Sequence, residues 1–138
     1  MTDIELAWAA GLFEGEGTIC INKPHKNHLG TLRCYVGNTD REIVEFFLEG
    51  WGGHLHEIKA SGNRRVAWQW TVAATKATKF IKDILPYLHT KRVCQKAQLG
   101  LEFQDQKSLL GVRRTLEYRV KQFGYYERMK KLNVRGVH

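Results

Sequence analysis

The sequence predicts an α+β domain in which helices cover one face of a four-stranded antiparallel sheet. Four segments alternate between apolar and polar residues, which is typical of half-buried strands. They form two pairs, and a capping-box pattern that predicts a helix start precedes each pair. The order is therefore an αββ unit that occurs twice, followed by further helices. One face of such a sheet stays open, and here it carries polar and basic side chains.

The first unit begins with a helix, because Thr2 and Glu5 have capping-box spacing. Gly17 is expected to end this helix. Alternation then predicts a strand at residues 18–22 and a second strand at residues 32–36, with a turn between them. The unit is thus a helix followed by a hairpin.

The second unit repeats this pattern. Thr39 and Glu42 have capping-box spacing and predict a second helix. Two strands follow at about residues 54–59 and 65–72, joined by a turn at residues 61–63. Further helices are expected at about residues 75–85, 90–106 and 110–132.

The length and composition are those of one folded domain. A chain of 138 residues suits a single core, so we expect one domain over residues 1–138. Its core would run from about residue 2 to 105 and its C-terminal helical extension from about 106 to 138. Three cysteines without a CxxC pair, and no basic leader before an apolar run, suggest an intracellular protein, either cytoplasmic or organellar, without a secretion signal.

The charge points to a polyanionic partner. The formal net charge is +8, and the basic residues are spread through the chain. Nucleic acid is the commonest partner of so basic a small domain. A membrane-binding helix would concentrate the charge in one stretch, so we expect no membrane association.

The end of the first helix carries the most chemical information. Small residues at Ala7, Ala10 and Gly11 would let a partner helix approach closely, and the helix ends in Glu14 and Glu16. If a second copy packs across a two-fold axis, two Glu16 carboxylates meet. Divalent cations relieve the repulsion between them, and oxygen ligands beside phosphate favour Mg²⁺. The alternative is a helix end with solvated acids; a glycine-rich phosphate cradle is excluded because the acids would repel phosphate.

Residues 9–17, AAGLFEGEG, resemble the LAGLIDADG motif of homing endonucleases, with Glu14 and Glu16 replacing two aspartates. The resemblance covers about residues 2–105 and extends to the αββ repeat. It implies that Glu16 and the backbone carbonyl of Gly15 bind the metal, with Mn²⁺ or Ca²⁺ able to replace Mg²⁺ in binding. It makes Glu14 a structural contact at the helix ends, and with Ala7, Ala10 and Gly11 part of a dimer interface. Each glutamate is one methylene longer than aspartate, which can shift the metal.

The resemblance also implies two further catalytic residues. Asn38 takes the place of a glutamine near the attacking water, with a shorter reach, and Arg41 could supply charge nearby. Lys91 matches an active-site lysine that would stabilise the phosphate in the transition state. The alternative for Lys91 is an exposed charge at a helix start.

With one motif per chain, the resemblance implies a homodimeric, divalent-metal-dependent and site-specific DNA endonuclease. It would make double-strand breaks at a long pseudo-palindromic target, as in intron homing. Side chains on the open face would read bases, and two lysines would contact phosphates. The expected base contacts are Asn22, Arg33, Tyr35, Arg65 and Gln69, and the expected phosphate contacts are Lys23 and Lys59.

Three other interpretations remain open. The main alternative to an endonuclease is a LAGLIDADG-like protein that binds nucleic acid without cutting it, as an RNA maturase or a transcription regulator. A second alternative is a purely structural dimerisation module. A zinc site would use four side chains of the first hairpin: Cys20, His25, His28 and Cys34. Against zinc, no Cys-x-x-Cys pair accompanies them, and Cys34 suits a core position. Trp68 and Trp70 share the face of Val66 and Val72, which favours core over base stacking.

Overall fold

The computed structural model describes residues 1–26, 28–109 and 116–134. The expected element order is confirmed over these ranges. The elements are α1 (Asp3–Glu16), β1 (Gly17–Asn22), β2 (Thr31–Asn38), α2 (Arg41–Trp51), β3 (His54–Ile58), β4 (Ala67–Ala73), α3 (Ala74–Ile84), a short 3₁₀ helix (Leu85–Tyr87), α4 (Lys91–Leu109) and α5 (Leu116–Leu132). The expected start of the last helix at residue 110 lies outside the described residues.

The four strands form one antiparallel sheet in the order β1-β2-β4-β3. Each predicted hairpin pairs with itself, and β2 and β4 join the two hairpins in the centre. Val36 of β2 lies between Gly17 of β1 and Trp70 of β4. This register brings the start of β1 and the end of β2 to the same end of the sheet. The α+β fold with an antiparallel open sheet is therefore confirmed.

The core is an aromatic cluster between the sheet and the helices. The Trp70 ring centroid lies 5.1 Å from that of Phe47 and 4.9 Å from that of Phe80, and Phe13 of α1 lies 5.0 Å from Phe80. Trp70 is fully buried, and its indole N–H donates to the carbonyl of Gly52 at 2.7 Å. The core interpretation of Trp70 is confirmed, and a base-stacking role for it is excluded by its burial.

The two helix starts differ from one another. At α1 the expected capping box is present, with the Thr2 hydroxyl accepting from the Glu5 N–H at 3.1 Å. At α2 the prediction of a Thr39 capping box is wrong by one residue, because Asp40 is the cap and accepts from the Glu42 N–H at 3.1 Å. Asp40 is itself held by the side chain of Asn38, which accepts from the Asp40 N–H at 2.8 Å.

The C-terminal helix α5 packs beside edge strand β1, a contact that the sequence did not indicate. Asn133, directly after α5, donates to the carbonyl of Ile19 at 2.9 Å and accepts from the ammonium of Lys96 at 3.1 Å. Arg92 of α4 donates to the carbonyl of Leu132 at 2.8 Å. These bonds cover an edge that would otherwise pair with other chains. Within the described ranges, no helix combines the length and the apolar character needed to cross a membrane.

Replacing Phe80 by alanine is expected to lower the free energy of unfolding by about 3–5 kcal/mol, because its ring is fully buried against four aromatic neighbours. Urea unfolding followed by tryptophan fluorescence measures this. The control is Phe123→Ala, which removes the same side chain from a half-exposed position on α5. Equal losses in the two variants would contradict this account of the core.

Candidate active site and nucleic-acid interface

Glu14 joins two helices that are far apart in sequence. Its carboxylate accepts from the backbone N–H groups of His89 at 2.9 Å and Thr90 at 2.6 Å, directly before α4. It thus caps the positive end of α4 from outside that helix. Burial acts to raise the pKa of Glu14, but the hydrogen bonds from Thr90 and His89 outweigh it and lower the pKa. The structural role expected of the first acid is therefore filled within its own chain.

This contact holds the end of α1, which carries Glu16, beside the start of α4, which carries Lys91. Glu16 is exposed and lies two residues after Glu14, while Lys91 is exposed and directly follows Thr90. Asn38 lies two residues beyond Val36, the strand partner of Gly17, so it flanks the end of α1. The backbone positions of Glu16 and Lys91 are thus linked through the Glu14 bond, and that of Asn38 through the pairing of β1 with β2.

The backbone at Gly15 offers a further oxygen. The Gly17 N–H closes the last hydrogen bond of α1 on the carbonyl of Phe13. The Gly15 carbonyl lies after that point, in the last turn, where helix carbonyls have no intrahelical partner. Gly15 is an exposed residue beside Glu16. The two ligand positions expected from the sequence are therefore accessible.

Asn38 and Arg41 are both engaged in local contacts. The carbonyl oxygen of the Asn38 side chain accepts from Asp40, which leaves the amide nitrogen to donate elsewhere. Arg41 forms an ion pair with Glu45 at 2.7 Å, and its guanidinium lies 5.9 Å from the Trp68 ring centroid. Arg41 is therefore partnered within α2 and less suited to supply charge at the site.

The open face of the sheet carries the expected polar side chains. Directly paired residues share a face, and the register places Tyr35 opposite Thr18 and Thr71, and Gln69 opposite Gly37 and His56. Arg33 lies opposite Cys20 on the same face. The Nε of Arg33 is buried and has no hydrogen-bond partner among the described residues. His54, His56, Thr18 and Thr71 also lie on this face. For the two histidines the strand pattern left phosphate contact and plain exposure equally open, and it assigned no role to the threonines.

The remaining expected DNA contacts occupy three different places. Lys59 and Arg65 are exposed in the loop between β3 and β4, and Asn22 is exposed at the far end of β1. Lys23 is only half-exposed, because its ammonium lies 5.0 Å from the ring centroids of both Phe123 and Tyr126 in α5. The Lys23 ammonium is therefore held against α5, apart from the exposed cations Lys59 and Arg65 of the β3–β4 loop.

The outer face of α1 is apolar, but its composition differs from the expected one. Ala10 is fully buried in the core of its own chain, so the prediction that its side chain faces a partner is wrong. Ala7 and Gly11 are exposed, and they are joined by Ile4 (83% exposed) and Trp8 (45% exposed). A Cβ added at Gly11 would meet nothing within 4 Å. The spacing of residues 4, 8 and 11 is a helical period that could have revealed this stripe.

The proposed zinc ligands do not assemble. Among the residues that the structure describes, no three His, Cys, Asp or Glu side chains lie close enough together to hold a metal ion. The rings of His25 and His28 are 5.4 Å apart, but Cys34 is fully buried in the core as expected from its strand position. The four residues are near one another in sequence because they belong to one hairpin, not because they form a metal site.

Helix α1 ends in two acids at one end of an open antiparallel sheet, and solved structures with a similar fold identify the class of this fold. The sequence matches no protein-family model and no curated protein. The fold is similar to that of the homing endonuclease I-CvuI in complex with its target, with a TM-score of 0.75, 15% identity, and coverage of 98% of this chain and 86% of that one. It is also similar to the archaeal intron-encoded homing endonuclease I-Vdi141I complexed with DNA, with a TM-score of 0.76, 15% identity, and coverage of 97% of this chain and 87% of that one.

A third structure, the K262A mutant of I-SmaMI, has a TM-score of 0.62 and 14% identity. This chain is covered over 97% of its length, but that chain over only 46%. At these identities the likeness establishes the fold. The chain has the single-motif fold of the LAGLIDADG homing endonucleases.

Replacing Glu14 by glutamine is expected to lower the free energy of unfolding by about 0.5–2 kcal/mol at neutral pH, since the charged cap of α4 is lost. The lowered pKa of Glu14 means that its contribution is present above the ordinary glutamate value of 4.5 and lost as the pH falls through the folded-state pKa. The difference between wild type and E14Q should therefore shrink in acid. Urea unfolding over a pH series measures it.

The matched control is Glu102→Gln, which neutralises an exposed carboxylate on α4 itself. It should change stability little at any pH. A pH-independent difference for E14Q would show that the carboxylate charge does not hold α4.

Proposed function

We propose that this protein is a site-specific DNA endonuclease that depends on a divalent metal and acts as a homodimer. The observation that supports the proposal is the Glu14 bond that holds the end of α1, where exposed Glu16 lies, beside the start of α4, where exposed Lys91 lies, within a fold shared with homing endonucleases. Each feature alone has a structural explanation. Their combination suits phosphodiester hydrolysis.

The residues present fit half of a divalent-metal site. Each chain offers the Glu16 carboxylate and the Gly15 carbonyl, both exposed and both oxygen donors that suit Mg²⁺. No second carboxylate of the same chain completes a cluster among the described residues. A two-fold partner would supply a second Glu16. When bound, the metal would polarise the scissile phosphate and lower the pKa of water.

The other two residues have separate roles. Lys91 carries a positive charge toward the same end of the sheet, where it would stabilise negative charge developing on the phosphate. The amide nitrogen of Asn38 would orient the attacking water, since its oxygen is taken by Asp40. Glu14 acts as a positioning residue, because it fixes the helix start that carries Lys91.

The open face provides the DNA-binding surface. Arg33, Tyr35 and Gln69 all lie on it, and their side chains carry donors and acceptors that suit base edges. Lys59 and Arg65 extend the surface along the β3–β4 loop. The formal charge of +8 implies that affinity falls steeply with salt. In the homing endonucleases I-CvuI and I-Vdi141I, the solved complexes contain the target or DNA.

The apolar stripe of α1 supports pairing of two chains. Exposed Ile4, Trp8, Ala7 and Gly11 run along one face, and the glycine would allow two helices to approach closely. With the two-fold axis running along α1, this packing would bring both helix ends, and therefore both Glu16 residues, together. A symmetric pair would recognise a pseudo-palindromic target and cut both strands.

Glu16→Gln is expected to lower the rate of DNA cleavage by about 100-fold or more while leaving DNA affinity within a few-fold, because the amide is a poor metal ligand. The substrate is a randomised duplex library, incubated with Mg²⁺ or with EDTA. The control is Glu102→Gln, which is exposed on α4 and should cut as wild type does. Salt-sensitive binding without Mg²⁺-dependent products from wild type would favour the non-cleaving rival.

Gly11→Leu is expected to abolish the dimer without destabilising the fold. A Cβ at this position meets nothing within the chain, and leucine in place of glycine favours a helix by about 0.8 kcal/mol. Sedimentation equilibrium gives the mass, and circular dichroism gives the melting temperature. Gly124→Leu is the control, since a Cβ there also meets nothing within 4 Å and lies on α5. A G11L variant that stays dimeric would exclude this interface.

A further inference from the structure

A second site lies at the opposite end of β1 from the candidate active site. It is a cavity of about 190 Å³ between the loop that joins β1 to β2 and the helix α5. Its lining includes Lys23, Lys26, His28, Arg119, Gln122 and Phe123. None of them belongs to the end of the sheet that holds Glu16, Asn38 and Lys91. We call this cavity the distal pocket.

The lining of the distal pocket is strongly basic. Lys23, Lys26 and Arg119 carry formal positive charges, and no carboxylate lines the pocket among the described residues. The two ion pairs between described residues, Arg41 with Glu45 and Lys79 with Asp83, involve none of these cations. Three like charges around one cavity repel each other unless an anion lies between them.

Gln122 provides an independent sign of a ligand. It is 1% exposed, it lines the pocket, and neither its amide nitrogen nor its amide oxygen has a hydrogen-bond partner among the described residues. A buried amide without partners costs about 1–3 kcal/mol, so such groups in folded proteins usually meet a ligand or water. A ligand that accepts hydrogen bonds would satisfy the Gln122 nitrogen.

The pocket is held in shape by contacts around it. Nδ1 of His28 accepts from the Gly30 N–H at 2.8 Å, and the Lys107 ammonium donates to the Gly30 carbonyl at 3.1 Å. The Lys23 ammonium is fixed against Phe123 and Tyr126. A loop bonded to α4 and a lysine stacked on α5 need little rearrangement to receive a ligand.

We propose that the distal pocket binds a phosphate group. Its oxygens would accept from the cations and from the Gln122 amide, whereas a purely apolar ligand would leave the cations and the amide without partners. The phosphate has two possible sources: the backbone of a bound duplex, or a free phosphate or phosphomonoester. From Gly17 to Asn22, β1 spans about 17 Å. A duplex lying along the sheet would therefore reach the pocket near its outer end; this source rests on the proposed function, whereas the pocket does not.

The first test uses inorganic phosphate and the full chain. In ¹H–¹⁵N NMR spectra, added phosphate at constant ionic strength should shift the Gln122 side-chain amide resonances saturably, which chloride should not do. K26Q/R119Q should weaken this binding at least tenfold. The control K121Q/K131Q removes the same charge from exposed positions of α5 outside the pocket and should bind as wild type does. Q122L, similar in volume, should also weaken binding while keeping the fold.

The second test uses DNA duplexes and identifies the source. If backbone phosphate occupies the pocket, K26Q/R119Q should reduce the slope of log K against log salt by about 1 on a full-length duplex relative to K121Q/K131Q, and by nothing on a duplex shortened at both ends. Phosphate binding with an unchanged slope assigns the site to a free phosphate or phosphomonoester. If phosphate does not shift the Gln122 resonances and the salt slope does not change, the phosphate-site proposal is overturned, even if Glu16-dependent cleavage is normal. If the wild type does not cleave DNA but still binds phosphate in the distal pocket, only the proposed endonuclease function is overturned.

Discussion

The Glu14 carboxylate, held between the end of α1 and the start of α4, is the contact on which the candidate site depends. It spans 75 residues in sequence to His89 and 76 to Thr90. An anion at the N-terminus of a helix is stabilised by two unsatisfied N–H groups and by the helix dipole. Because Glu16 lies two residues after Glu14 and Lys91 directly follows Thr90, this bond keeps the end of α1 beside the start of α4. The arrangement of the candidate site thus depends on a structural cap.

The sheet keeps one face free because its other surfaces are occupied. The aromatic cluster around Trp70 and Phe80 fills the inner face, and Asn133 ties α5 to the edge at Ile19. The bases of a duplex present donors and acceptors that polar strand side chains can match. The open face can therefore carry the polar side chains of Arg33 and Gln69, because the core lies on the other side of the sheet.

Helix α1 serves two interfaces at once. Ala9, Ala10 and Phe13 face the core of their own chain, while Ile4 and Gly11 face outward and half-exposed Trp8 packs against Phe46 of α2. A helix that is apolar on both sides is usually buried on both sides. This explains why the apolar residues of α1 follow no single stripe. The outward-facing ones stay exposed in a single chain and would be covered by a second copy.

The sequence by itself determined the strands, the order of elements and the acidic end of α1, because these depend on neighbours along the chain. Alternation around Ile19 and Trp70 and the capping box at Thr2 are local patterns, and the structure confirms them. Tertiary structure alone decided that Ala10 faces inward, that Glu14 caps α4, and that Gln122 lies unpartnered in a basic pocket. Each of these depends on which face of a helix meets a distant element, and a pattern along the chain does not contain that information.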